Sequence, residues 1–299
     1  MPALAPNRFV DPAVLAEISN LDLIARTVVD GFVAGLHRSP DFGFSQEFAE
    51  YRAYTPGDDL RHVDWNVFAR TEKAYLKRFR GETNAQIIFL LDASASMNFA
   101  SGPVSKFTYA KYLASALIYL AHLQRDATGF VSFHDEVDAF VPPSTRQGQL
   151  MRLLHAVDGA ETGERTDFAR PFVHLQNLRR RRGLTILISD FLAPVDKVVS
   201  AAEPLRFNGE EVILFHVLDR EELRPGLNDP VLLLDMETNE ALEVSPDYAR
   251  TEYPAKIAQH LDELRTESQK AGLDYFLLRT DQPLDAGLRE YLTVRQRRI

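Results

Sequence analysis

The chain has 299 residues, 45% of them hydrophobic, with a formal net charge of -9 and a pI near 5.4. That apolar content supports a sizeable core, while the acidic balance disfavours nucleic acid or an anionic membrane as partner, since both attract basic surfaces. The absence of cysteine excludes disulfides, thiolate metal sites and cysteine nucleophiles together, and it accords with a reducing cytoplasm.

The opening residues, Met1 to Arg8, have neither the basic start and apolar stretch nor the small-residue cleavage site of a signal peptide. Every apolar run is far shorter than the ~18 residues a membrane span requires. The expectation is a cytoplasmic protein with no membrane span.

Asp11-Pro12 offers an N-cap and a first-turn proline, and Val14, Leu15, Ile18, Leu21, Val28, Val29, Phe32 and Leu36 recur at roughly helical spacing. Residues 12–36 therefore read as one or two helices. A turn-rich link over 37–43 precedes two short, aromatic-rich runs with strand-like alternation, 48–54 and 74–79. Between them stand a Pro56-Gly57 turn and a charged cluster around the single tryptophan, Trp65. Ion pairs of Arg61 or Arg70 with Asp58 or Asp64 are the plainer reading of that cluster.

The next stretch, Ile87-Ile88-Phe89-Leu90-Leu91-Asp92-Ala93-Ser94-Ala95-Ser96, organises the rest. Five large apolar residues without alternation describe a strand buried on both faces, as in a parallel sheet covered by helices. In such sheets ligands sit beyond the carboxyl ends of the strands, where Asp92, Ser94 and Ser96 fall. One carboxylate with two hydroxyls spaced by two presents hard oxygen donors, which suit magnesium or another small divalent cation. The structural alternative is that these residues only cap the following loop.

An alanine-rich helix over 104–124 follows, able to lie close on the sheet, then a strand at 128–133, an edge strand at 137–141 and a short helix through Leu150, Leu153, Leu154 and Val157. The loop 159–167 leads to a helix ending in Arg179 to Arg182 and Gly183, cations that suit an ordinary helix C-terminus. Residues 184–191 repeat the earlier theme, a buried β-branched strand ending at an acid, Asp190. A helix (195–205), a strand (211–218), a hairpin (230–235 with 241–244), a helix (247–271), a strand (273–278) and a closing helix complete the chain. Alternating strands and helices imply βα units in a parallel sheet. No two of His62, His134 and His216 have metal-ligand spacing, and packed or hydrogen-bonded roles are expected for them.

Asp92-x-Ser94-x-Ser96, Thr166 and Asp190, in that order, resemble the metal-ion-dependent adhesion site (MIDAS) of von Willebrand factor type A domains over about residues 85–295. The segment from Glu47 to Arg70, with Tyr51-Arg52, Pro56-Gly57-Asp58-Asp59-Leu60-Arg61 and Val63-Asp64-Trp65, is similar to the signature of the bacterial domain-of-unknown-function family 58 (DUF58). The resemblance implies an α/β, Rossmann-like fold with a mainly parallel sheet flanked by helices and a small β-rich subdomain. Residues 1–84 would form an N-terminal helix plus ribbon, and 85–299 the type A-like domain with a hairpin inserted at about 230–245. It also implies that Asp92, Ser94, Ser96, Thr166 and Asp190 hold Mg2+ or another divalent cation, with one position open for a carboxylate of a protein partner. Where the family commonly has glycine before the threonine, this chain has Arg165. Relatives of this kind are associated with MoxR-type AAA+ ATPases, which implies a non-enzymatic adaptor in protein assembly or remodelling.

The alternative from another class is a Mg-dependent phosphohydrolase with Asp92 as nucleophile. That chemistry normally takes a second aspartate two residues on as general acid, and Ser94 stands there. A P-loop ATPase is excluded by the absence of its glycine-lysine motif.

Overall fold

The structure, a computed structural model, describes residues 11–18, 20–36, 48–53, 67, 75–79, 86–163, 183–207, 209–236 and 240–296. Thr166, the Arg179 to Arg182 run and the charged cluster around Trp65 lie outside them.

The N-terminal stretch forms two helices, α1 (Pro12–Leu15) and α2 (Leu21–Leu36), the first capped by Asp11 and the second by Asn20, whose Oδ1 accepts from the Leu23 N–H at 3.1 Å. Two short strands, β1 (Phe48–Ala53) and β2 (Tyr75–Phe79), pair antiparallel. The main sheet begins with β3 (Gln86–Asp92), followed by α3 (Lys106–Leu123), β4 (Ala127–Phe133), β5 (Val137–Ser144) and α4 (Gln149–Asp158). It continues with β6 (Gly183–Ser189), α5 (Val195–Phe207), β7 (Glu211–Leu218) and α6 (Arg220–Leu223). The hairpin β8 (Val231–Leu234) and β9 (Ala241–Val244) comes next, then α7 (Pro246–Thr251), α8 (Tyr253–Lys270), β10 (Asp274–Arg279) and α9 (Asp285–Gln296).

Among the described residues the main sheet has six strands in the order β10-β7-β6-β3-β4-β5, parallel except for the antiparallel edge strand β5. Leaving the hairpins aside, this is the doubly wound order in which the chain fills one side of β3, then returns to fill the other. Residues of β3 alternate between two cores, as the period of a strand requires. Ile87, Phe89 and Leu91 pack with α2, α3, α4 and α9 on one face. Ile88 and Leu90 pack with α5, Leu264 of α8 and Leu273 on the other.

The alanines of α3 do what their size suggests. Ala110, Ala114, Ala116 and Ala121 are fully buried, so the helix backbone lies close to the strands and to α2. Its first turn is closed by Ser105, whose Oγ accepts from the Thr108 N–H at 3.1 Å. On β5, Pro142 and Pro143 lie near the end of the edge strand, where the register against β4 shifts between Thr128 and Phe130, a place that tolerates proline.

One expectation needs correction. The helix expected over 247–271 is broken at Glu252, because Pro254 sits in the first turn of α8 and cannot continue an uninterrupted ladder from α7. Among the described residues the N-terminal ribbon β1-β2 and the inserted hairpin β8-β9 are separate two-stranded sheets. The Asp235 N–H donates to the Glu240 carbonyl at 2.9 Å at the end of the β8-β9 ladder.

Candidate functional site

The strand order reverses between β3 and β6, and the crevice that such a reversal opens lies beyond their carboxyl ends. Asp92 closes β3 with its side chain fully buried. Its Oδ1 accepts from the Ser94 N–H at 2.9 Å and its Oδ2 from the Ser189 hydroxyl at 2.5 Å. The Ala93 N–H donates to the Phe133 carbonyl at 2.7 Å, which fastens the loop to β4. The hydroxyls of Ser94 and Ser96 lie 3.1 Å apart, and a short 3-10 turn, Ala95–Asn98, is anchored beside them by the buried Met97.

Asp190 follows β6 on a sharply turned loop. Phe191 adopts a left-handed conformation with φ 46°, which is costly for a bulky residue and persists only when its surroundings impose it. Here the Phe191 N–H donates to the Ser189 hydroxyl at 2.9 Å, while its ring is wholly buried, edge-on to His216 at 5.3 Å. Ser189 thus links the two acid-bearing loops, since one hydroxyl serves both Asp92 and the backbone that turns out Asp190.

A buried cation completes the arrangement. Lys106, the first residue of α3, is 0% exposed and its Nζ donates to Asp190 Oδ2 at 2.7 Å and to Glu222 Oε1 at 2.5 Å. Burial opposes its charge, but the carboxylates of Asp190 and Glu222 outweigh that effect and hold its pKa above the ordinary value. Glu222 in turn accepts from the Asp219 N–H at 2.8 Å in a capping box at α6. Asp219 accepts from the Ser101 N–H at 3.0 Å, from the Ser101 hydroxyl and from Thr280 Oγ1 at 3.3 Å. The loop after Ser96 is thereby tied to the ends of β7 and β10.

Asp190 and Glu222 share the ammonium of Lys106, while Asp92, beside Asp190, is held by Ser94 and Ser189, so among the described residues three acids gather near one cation. The Asp92 carboxyl registers the deficit: burial, and then the neighbouring charge of Asp190, push its pKa up to about 7 against the hydrogen bonds from Ser189 and Ser94. Among the described residues no three His, Cys, Asp or Glu side chains form a metal cage. Two neighbouring buried acids, one of them paired with Lys106, beside two facing hydroxyls offer hard oxygens of the kind a dication that keeps several waters takes. The residues present fit Mg2+ in its chemistry.

Of the residues proposed from the sequence, Asp92, Ser94 and Ser96 share one loop, and Asp190 is brought beside them from the neighbouring strand. Thr166 and Arg165 lie outside the described residues. The approach to them is fixed at the rim: the Gly163 N–H donates to the Ala93 carbonyl at 2.7 Å, and Asn98 Nδ2 donates to Thr162 Oγ1 at 2.5 Å. A Cβ on Gly163 would lie 2.5 Å from the His134 ring, so the close approach needs glycine. His216 is packed, as expected. Its Nδ1 is 2.8 Å from the Tyr275 hydroxyl, and burial pushes its pKa down to about 3.

A family model described as "Protein of unknown function DUF58" matches residues 50–263. The chain belongs to the DUF58 family. Beyond that match, it is similar to the uncharacterized protein Rv1480 of Mycobacterium tuberculosis (strain ATCC 25618 / H37Rv), 29% identical over 303 residues that cover 99% of this chain and 94% of the relative. Among solved structures, this DUF58 chain is similar to the conserved hypothetical protein BatB from Bacteroides thetaiotaomicron, with TM-score 0.47 and 16% identity over 71% of this chain and 99% of the other. The SpRpn10 VWA domain aligns with TM-score 0.40 and 12% identity, covering 68% of this chain and 92% of its own.

Proposed function

We propose that this DUF58 protein is a non-enzymatic, metal-dependent adaptor that docks an acidic side chain of another protein at the β3-β6 crevice. The observation that carries the reading is the buried pair Asp92 and Asp190, of which only Asp190 meets a cation among the described residues, beside the facing hydroxyls of Ser94 and Ser96. Those residues, with Thr166, would hold Mg2+ or a similar cation; when bound, it supplies an open position that attracts a carboxylate oxygen. Ser189 holds Asp92 by one oxygen, Lys106 holds Asp190 by one oxygen, and the strained turn at Phe191 keeps the two loops in register. The partner would be a MoxR-type AAA+ ATPase or a client that it remodels, with nucleotide hydrolysis left to the ATPase.

The phosphohydrolase alternative is less well supported. Ser94, whose hydroxyl meets that of Ser96 at 3.1 Å, stands where a second aspartate would protonate the leaving group. The test is calorimetric titration with Mg2+, and copurification with a MoxR-type ATPase in Mg2+ and in EDTA, for wild type, Ser94→Ala and Asp190→Ala. Cation affinity should fall about 10–100-fold in each variant, by analogy with the loss of groups that orient metal ligands, and capture should fail in EDTA. Equal capture under all conditions would show that the crevice is not the docking surface, and phosphomonoester turnover lost in Asp92→Asn would restore the enzyme reading.

A further inference from the structure

Away from the crevice, the β8-β9 hairpin leaves an unusual surface. Leu232, Leu233, Leu234 and Leu242 are 64%, 49%, 63% and 60% exposed, and Met236 at the turn is 44% exposed. The register pairs Leu233 with Leu242 and Leu234 with Ala241, so Leu232 and Leu234 share one face while Leu233 and Leu242 share the other. Both faces therefore carry exposed leucines, although Val244 on the second face is buried and Glu243 lies opposite Leu232 on the first, and the ladder has no third strand among the described residues. A two-stranded sheet is marginal in water by itself, and clustered exposed leucines in a soluble chain mark a contact surface.

The charge around the hairpin selects what covers it. From Pro225 to Ala249 the sequence carries Asp229, Asp235, Glu237, Glu240, Glu243 and Asp247 and no lysine or arginine. Asp229, Asp235, Glu240, Glu243 and Asp247 are exposed or half-buried around the leucines. Two copies of the chain meeting here would press like charges together, and membranes rich in anionic lipid or nucleic acids would be repelled for the same reason. A segment of another protein in which apolar residues alternate with lysine or arginine satisfies both features: its apolar side chains cover the leucines and its cations meet the acidic rim.

We propose that the β8-β9 hairpin is a docking arm for a basic, apolar segment of another protein, added along the open strand edge. This contact is independent of the divalent cation, so its success or failure is separate from that of the crevice reading. The experiment is fluorescence anisotropy with a labelled dodecapeptide of alternating leucine and lysine, added to the full chain in EDTA, with a leucine and glutamate peptide as control. Analytical ultracentrifugation of the unliganded chain runs alongside. The lysine peptide is expected to bind wild type and the glutamate peptide not to. Binding should weaken at least 10-fold in Leu232→Ser/Leu234→Ser and in Glu240→Lys/Glu243→Lys, all at exposed positions, with unchanged circular dichroism. The proposal is overturned if wild type does not bind the lysine peptide, or if both variants bind it as wild type does and the contact is merely with an acidic protein. It is equally overturned if wild type sediments as a dimer that the leucine variant dissolves, which would make a second copy the occupant.

Discussion

Replacing Lys106 by methionine tests whether the buried ammonium is the structural counter-charge of the crevice. Methionine keeps most of the length of the side chain, so the change is mainly the loss of two contacts, 2.7 Å to Asp190 and 2.5 Å to Glu222. Removing one partner of a buried ion pair typically costs about 3–5 kcal/mol, because the other charge stays buried without compensation. Here two carboxylates are stranded and a third, Asp92, is close by, which places the expectation toward the upper end of that range. Urea unfolding in EDTA at neutral pH should show the loss as a lower midpoint, and the melting temperature should drop by about 2–4 °C per kcal/mol for a domain near this size. In a double-mutant cycle with Asp190→Asn, the paired change should cost less than the sum of the single ones. A loss below about 1 kcal/mol, the scale of an exposed pair, would refute the reasoning and place Lys106 in contact with water.

Two further outcomes follow from other parts of the site and sheet. Because burial and Asp190 hold the folded-state pKa of Asp92 at about 7, above its ordinary 3.8, the folded protein retains a proton that the unfolded chain has already released across that interval. Stability of the metal-free protein should thus fall as pH rises through that window and level off above it; Asp92→Asn should flatten the slope and abolish stabilisation by Mg2+, as read from urea midpoints at several pH values with and without the ion. Gly183→Ala would drive a Cβ into the backbone carbonyl oxygen of Gln86 on the neighbouring strand, and about 1–3 kcal/mol of destabilisation in a thermal melt is expected; an unchanged melt would mean that β3 and β6 separate there at little cost.

The sheet was legible because its strands are buried on both faces, and an unbroken apolar run as short as Ile87 to Leu91 suits a strand covered on two sides better than a surface helix or a loop. Asp92, Ser94, Ser96 and Asp190 were legible as polar residues that stop such runs. Lys106 was not, since a single lysine at the head of a helix looks solvated. Its position did carry a signal: a cation in the first turn opposes the helix dipole and so calls for acids nearby. Glu222 and the short α6 escaped notice although Asp219-x-x-Glu222 is a capping-box pattern. Ser189 could not be foreseen, because its task of bridging two loops depends on β3 and β6 being neighbours. The break between α7 and α8 was available from Pro254, whose ring blocks the ladder wherever a helix is already under way.

The prolines near the end of β5 bear on how such a chain survives at high concentration. An edge strand is a template on which another molecule can lay down its own strand, and rows of such contacts grow into aggregates. Pro142 withholds a donor from that template, and Pro143, whose nitrogen faces Gly129 of β4, bends the ladder where its register is already shifted. Recruitment is thus discouraged at this border of the large sheet, while the small leucine hairpin stays sticky under a guard of acids. Selectivity in such a molecule is set as much by the border that refuses company as by the arm that accepts it.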